Sequence, residues 1–162
     1  MAIRVGFDSV YRISWWPDGT RVAVGMSDST VRAFDVKSGE QVLFKDNHDD
    51  WVLDTVWNNN GDHLVSVGRD MAVKLTEVAT QRFVDNITSI TPGALKGGIH
   101  AITVHPKKEE VLVGGSDGVP QLSRLTRVTK RVIGDNSNPA RKFPPMPGRI
   151  FAVHSSEHPP PG

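Results

Sequence analysis

The chain has 162 residues with 19 basic and 18 acidic side chains, a formal net charge of +1. That balance leaves no global field to pull the protein onto nucleic acid or a membrane surface, so neither partner is expected. No cysteine is present, which excludes disulfides, a thiolate nucleophile and covalent haem attachment through C-x-x-C-H within this chain.

From residue 8 onward the sequence breaks into short alternating segments, the pattern of strands with one buried face. The first four are 10–16, 21–26, 30–36 and 41–44, termed strands a to d. Turn chemistry separates them: Pro17-Asp18-Gly19, Ser27-Asp28-Ser29 and Lys37-Ser38-Gly39. The pattern then repeats. ISWWPDGTRVAVGMSDSTVRAFDV at 13–36 is echoed by TVWNNNGDHLVSVGRDMAVKLTEV at 55–78, so Gly19 aligns with Gly61, Asp28 with Asp70 and Val36 with Val78 at an offset of 42 residues. A third copy, IHAITVHPKKEEVLVGGSDGVPQLSRL at 99–125, places Asp117 47 residues after Asp70. A fourth begins as RIFAVHSSEHPPPG at 149–162, with Val153 in the place of Ile102.

A period near forty-two with four strands per unit predicts an all-β propeller fragment of about three four-stranded blades plus the stub of a fourth. The expected blades are 8–47, 48–85 and 99–133, with insertion loops at 86–98 and 134–148 and the first strand of a fourth blade with its tail at 149–162. The three consecutive prolines at 159–161 cannot continue a sheet, so a truncated reading frame is expected.

These units resemble the WD-repeat family, in WPDG at 16–19, GMSDSTVRAFD at 25–35 and KSGE at 37–40, with Phe34 where the family has Trp. In the second unit His48, Ser66 and Asp70 occupy three places of the family's buried hydrogen-bond set, and Thr76 replaces the Trp. Val24 and Val113 fill the Ser place in the other two units. The resemblance also implies that 1–7 is the outer strand of a preceding blade. The stretches 67–98, 113–136 and 143–151 further resemble a bacterial, planctomycete-type WD-repeat group whose propeller shares a polypeptide with a c-type cytochrome domain. That likeness implies a segment of a larger exported protein. As written, without a signal-peptide core, the chain would instead stay in the cytoplasm.

Asp28, Asp70 and Asp117 recur between strands b and c, where a carboxylate accepts backbone N–H groups and tightens the turn. A structural role is therefore expected for them, and for His48 beside Ser66 and Asp70. No nucleophile–base pair is apparent, and His100, His105, His154 and His158 do not share a metal-ligand spacing. No catalytic residue, cofactor or metal is expected. Arg124, Arg127, Lys130 and Arg131 read as a solvated edge.

A three-blade arc would leave apolar sheet faces bare, so homo-oligomerisation, or completion by further blades, is expected. Both insertions are read as d-to-a connections rising from one face, the face that also carries the Asp turns. Long loops on a rigid scaffold carry binding residues. The candidate partner-binding set is Lys96, Arg141, Lys142, Phe143, Met146 and Arg149: cations beside flat apolar groups, suited to an acidic or aromatic protein partner. The alternative is that Phe143 and its neighbouring prolines plug the top of the propeller. The expected function is a non-catalytic protein-binding or scaffolding segment. An accessory domain of a c-type cytochrome protein and a metal-dependent propeller hydrolase are the alternatives.

Overall fold

Twelve short strands form three four-stranded antiparallel sheets in a computed structural model that describes residues 8–87, 97–125 and 139–156. The first sheet holds β1 (Val10–Trp15), β2 (Arg21–Met26), β3 (Thr30–Asp35) and β4 (Gln41–Asp46), each paired with its chain neighbour. The second holds β5 (Val52–Trp57), β6 (His63–Gly68), β7 (Val73–Glu77) and β8 (Arg82–Asn86). The third holds β9 (Ile99–Val104), β10 (Glu110–Gly115), β11 (Gln121–Arg124) and β12 (Pro139–Lys142). This is an open, incomplete propeller.

One placement differs from expectation. The outer strand of the third sheet is β12, which pairs Leu122 with Arg141 and Gln121 with Lys142 inside a stretch read above as a loop. A free edge of β11 takes the next extended segment available, and a proline at the first position of an edge strand removes no ladder bond. The long connection in this blade therefore runs between strands c and d, and only 143–148 joins d to the next a. The expected outer strand at 1–7, most of the 86–98 insertion, and Arg127, Lys130 and Arg131 lie outside the described residues.

Side-chain alternation decides how the blades stack. Ala23, Val31, Ala33 and Leu43 of the first sheet bury against Val52, Trp57 and Leu64 of the second. The opposite face of the second sheet, Val65, Val67, Val73 and Leu75, buries against Ile99, Ile102, Val111 and Val113 of the third. Gly25 permits the first contact, because a Cβ there would stand 2.9 Å from Val52 Cγ1 and 2.9 Å from its carbonyl oxygen.

The same contact recurs beyond the third sheet. A Cβ on Gly114 would stand 2.5 Å from Ile150 Cγ2, and Ile150 donates its N–H to the Gly115 carbonyl at 3.0 Å. Ser155 Oγ lies 3.1 Å from Thr103 Oγ1 and donates to the Val104 carbonyl. Thr103 holds the repeat place of Ser14, which meets Thr55 across the first seam, although Ser155 stands two residues beyond the counterpart of Thr55, which is Val153. Residues 150–155 thus sit where the innermost strand of a further blade would sit. They form no strand, having no neighbouring strand to pair with among the described residues.

The far face of the first sheet is uncovered at its inner and outer ends. Val24, Met26 and Phe34 are buried there, while Ile13, Trp15 and Phe44 are exposed. Trp15 is 61% exposed, whereas its counterpart one repeat later, Trp57, is 3% exposed under the first sheet.

Candidate partner-binding face

The three b-to-c turns share one construction. Asp28, Asp70 and Asp117 each accept, through Oδ1, the N–H two residues on, from Thr30, Ala72 and Val119, all at 3.1 Å. The residue after each Asp takes a left-handed backbone, with φ of 68° at Ser29, 63° at Met71 and 69° at Gly118. Outside glycine that conformation costs on the order of 1 kcal/mol, which the carboxylate bond helps to offset. Burial pushes the Asp28 carboxyl up, but the hydroxyl and N–H of Thr30 and the Arg32 guanidinium outweigh it and hold it below the ordinary value.

In the second blade the turn anchors a buried network. His48, 4% exposed, lies with Nδ1 2.8 Å from Asp70 Oδ2 and Nε2 2.7 Å from Ser66 Oγ. Lys74 Nζ approaches Asp70 Oδ2 at 3.4 Å and donates to the Asn47 carbonyl. Burial raises the Asp70 carboxyl; the His48 hydrogen bond and the N–H groups of Asp49 and Ala72 more than reverse this and leave it below the ordinary value. Both imidazole nitrogens are engaged within the protein, so His48 offers none to a metal or substrate. Among the described residues, no three His, Asp or Glu side chains converge as metal ligands.

Asp54, on the innermost strand of the second blade, was missed by sequence reasoning. It is 4% exposed and accepts the Thr55 N–H at 2.9 Å and the Ile102 N–H of the third blade at 3.0 Å. Arg12 Nε of the first blade stands 3.4 Å away, so one carboxylate links three blades. Burial outweighs these partners and raises its pKa. The signal was present: Arg12 and Asp54 are opposite charges at the same place in successive repeats.

Of the candidate partner-binding residues, Arg141 and Lys142 lie on β12, and Phe143, Met146 and Arg149 on the connection that follows; Lys96 lies outside the described residues. The Arg141 guanidinium sits 4.9 Å over the Phe143 ring. The connection is strapped to the third Asp turn: Phe143 N–H donates to the Pro120 carbonyl at 3.0 Å and Met146 N–H to the Gly118 carbonyl at 2.7 Å. A Cβ on Gly118 would meet the Gly148 and Met146 carbonyl oxygens at 2.7 and 2.9 Å. Phe143 is half-buried; Arg141, Lys142, Met146 and Arg149 are exposed.

Arg149 leads into a second group on this face that the sequence pattern does not mark. Tyr11 stacks on Trp51 with ring centroids 5.4 Å apart, and the Arg69 guanidinium lies 4.6 Å from the Trp51 ring. Arg69 also pairs with Asp50 at 3.6 Å, and its Cα would lie 3.0 Å from a Cβ on Gly98. His100, bonded to Ser116 Oγ at 2.8 Å, packs 5.3 Å from Phe151, which is 67% exposed. Burial and then the charges of Arg149 and Arg69 hold the His100 imidazole below its ordinary value. Tyr11, Trp51, His100 and Phe151 come from the entries of strand a in all three blades and from the following segment, places no local motif marks, while Arg69 and Ser116 come from the Asp turns of the second and third blades.

The family model described as WD domain, G-beta repeat (WD40) matches residues 3–35 and 39–76. Over 119 residues the chain is 26% identical to the WD repeat-containing protein 26 homolog of Arabidopsis thaliana, covering 72% of this chain and 20% of that protein. It is 29% identical over 86 residues to nuclear distribution protein nudF 2 of Talaromyces marneffei, covering 51% of this chain and 19% of that protein. Over 88 residues it is 26% identical to a subunit of chromatin assembly factor 1 from Gallus gallus, covering 54% of this chain and 16% of that protein. Among solved structures, "Structure of U3-55K" and "Crystal structure of RRP9 WD40 repeats" superpose with TM-scores of 0.79 and 0.78 at 13% identity. Each covers 94% of this chain, which spans 44% and 43% of theirs. The chain thus spans about a fifth or less of the curated relatives named here and under half of the solved chains. The first two blades thus carry WD40 repeats by the family model, and the three sheets take the form of blades in the solved WD40 propellers.

Proposed function

We propose that the chain is a non-catalytic protein-binding segment, acting as a scaffold surface within a larger propeller. The observation that carries this is the exposed row of Tyr11, Trp51, Arg69, Arg149 and Phe151 on the Asp-turn face, continuous with the strapped ribbon of Arg141, Lys142, Phe143 and Met146. Aromatic and arginine side chains supply most of the energy in protein interfaces, because they bury large area at low entropic cost and recruit carboxylates and rings. The partner that suits them is an acidic segment bearing an aromatic residue. The chromatin assembly factor 1 relative is named as one subunit of an assembly, which agrees with a binding role. The recurrent Asp carboxylates are engaged in turns, so neither they nor His48 favours a hydrolase. Nothing in the geometry favours an accessory role to a c-type cytochrome, and the relatives named above are eukaryotic.

The test is selection of peptides from a random display library on the full chain. Acidic, aromatic-containing peptides that lose at least tenfold in affinity to Trp51→Ala with Arg69→Ala, at unchanged thermal stability, support the proposal. Selected peptides that bind the variant equally, or no selected peptides at all, overturn it.

A second reading rests on Ile13, Trp15 and Phe44. Their exposed face is the counterpart of the surface that buries Trp57, and it fits another four-stranded blade of the same kind, supplied by a second copy or by additional repeats. Sedimentation of the isolated chain at micromolar concentration tests the second copy; a well-folded monomer removes it.

A further inference from the structure

The seams between blades differ at one repeat position. Trp16 and Asn58 are separated by the 42-residue offset and so hold the same place in the first and second units. In the first seam the Trp16 indole fills the space: it lies 4.8 Å from the Trp57 ring, and a Cβ on Gly61 would fall 2.7 Å from it. In the second seam the smaller Asn58 leaves a cleft of about 320 Å³ between the second and third blades, on the face opposite the Asp turns.

The floor of that cleft is apolar and its rim acidic. Leu75, Val84 and Leu125 line it together with Asn58, Asp62 and Glu109. Asn58, 2% exposed, fixes both carboxylates by donating through Nδ2 to Asp62 Oδ1 at 2.6 Å and to Glu109 Oε2 at 3.1 Å. Neither carboxylate is paired with a Lys or Arg among the described residues; Asp62 has only His63, 2.9 Å away. Two fixed anions above an aliphatic floor match a cation carried on an apolar stem, since the stem buries while the head meets charge-assisted hydrogen bonds.

We propose that this interblade cleft is a binding site for a cationic side chain, a lysine or arginine of a partner protein. It is distinct from the Asp-turn face, so it stands or falls independently of the function proposed above.

The experiment is an NMR titration of the full chain, labelled at Leu and Val methyls, with n-butylguanidinium chloride. Saturable shifts at Leu75, Val84 and Leu125 are expected. n-Butanol, with the same stem and no charge, is expected to bind at least tenfold more weakly, as is n-butylguanidinium to the Asp62→Asn, Glu109→Gln chain. No saturable shift at these methyls overturns the proposal, and so does equal binding of butanol and butylguanidinium to the unaltered chain. The butanol comparison needs no variant, so it decides the matter even if the double substitution fails to fold.

Discussion

Trp15 and Trp57 are the same residue at the same place in successive repeats, yet one is exposed and the other is enclosed by the preceding blade. Truncating each to alanine therefore measures what stacking one blade on another contributes. A buried Trp side chain removes about 150–250 Å² from water, which at about 25 cal/mol per Å² is roughly 4–6 kcal/mol, an upper figure because the unfolded chain already hides some of this area. Trp57 Nε1 also donates to the Ser14 carbonyl at 3.1 Å, a bond contributing about 1 kcal/mol. Trp57→Ala is thus expected to cost about 4–5 kcal/mol. For Trp15, with well under half its area buried, the same arithmetic gives about 1.5–2 kcal/mol. Urea unfolding at sub-micromolar protein, followed by far-UV circular dichroism, reads both losses from the shift in midpoint. Equal losses for the two variants, or a larger loss at Trp15, would refute the stacking order. If a second copy covers the first sheet, the Trp15→Ala loss grows with protein concentration while the Trp57→Ala loss does not.

Gly25→Ala places a methyl 2.9 Å from the Val52 backbone oxygen and is expected to destabilise by about 1–3 kcal/mol, whereas Gly148→Ala, with nothing within 4 Å, is expected to stay within about 0.5 kcal/mol; thermal melting compares them. Ser66→Ala leaves one nitrogen of buried His48 without its partner and should cost about 1–3 kcal/mol by urea titration. The Asp70 carboxyl lies below its unfolded value of 3.8, so its stabilisation is present above that pH and disappears as pH falls through the lower folded value. An Asp70→Asn chain should accordingly differ most from the parent at neutral pH and converge with it in acid, as equilibrium unfolding from neutral pH into acid would show. Asp54 runs the opposite way: its folded value is raised, so its contribution is fully present below the unfolded value and is lost as pH rises through the folded one. The stability of Asp54→Asn relative to the parent should therefore improve from acid to neutral pH, and a relative decline would contradict the burial that raises it.

The fold was legible because its information is local and repeated. Alternation over six residues, a turn with a recurring Asp, and an offset of 42 each specify structure without knowledge of distant contacts, and β1 to β4 fall almost where that pattern puts them. Strand β12 was not legible, since PARK is polar, opens with proline and is a strand only because the edge of β11 lies beside it. The site divides the same way. Asp28, Asp70 and Asp117 announce themselves by recurrence. Tyr11, Trp51, His100 and Phe151 sit at unremarkable places in the sequence, and only the radial arrangement of the blades brings them onto one face with Arg69 of the second Asp turn. Asn58 reads as an ordinary turn residue until Trp16 is seen filling the same place one seam earlier.

The most direct test of the central claim, that the blades stack one on the next in chain order and that residues 150–155 take the next inner place, uses the absence of cysteine in the chain. Two double substitutions, S14C with T55C and T103C with S155C, replace hydroxyl pairs 2.8 and 3.1 Å apart with the only thiols present. Mild oxidation should close both pairs within single chains to similar extents, lowering free thiol without forming dimers. Closure of the first pair while the second stays reduced would contradict the placement beyond the third blade, and failure of both would contradict the stacking itself.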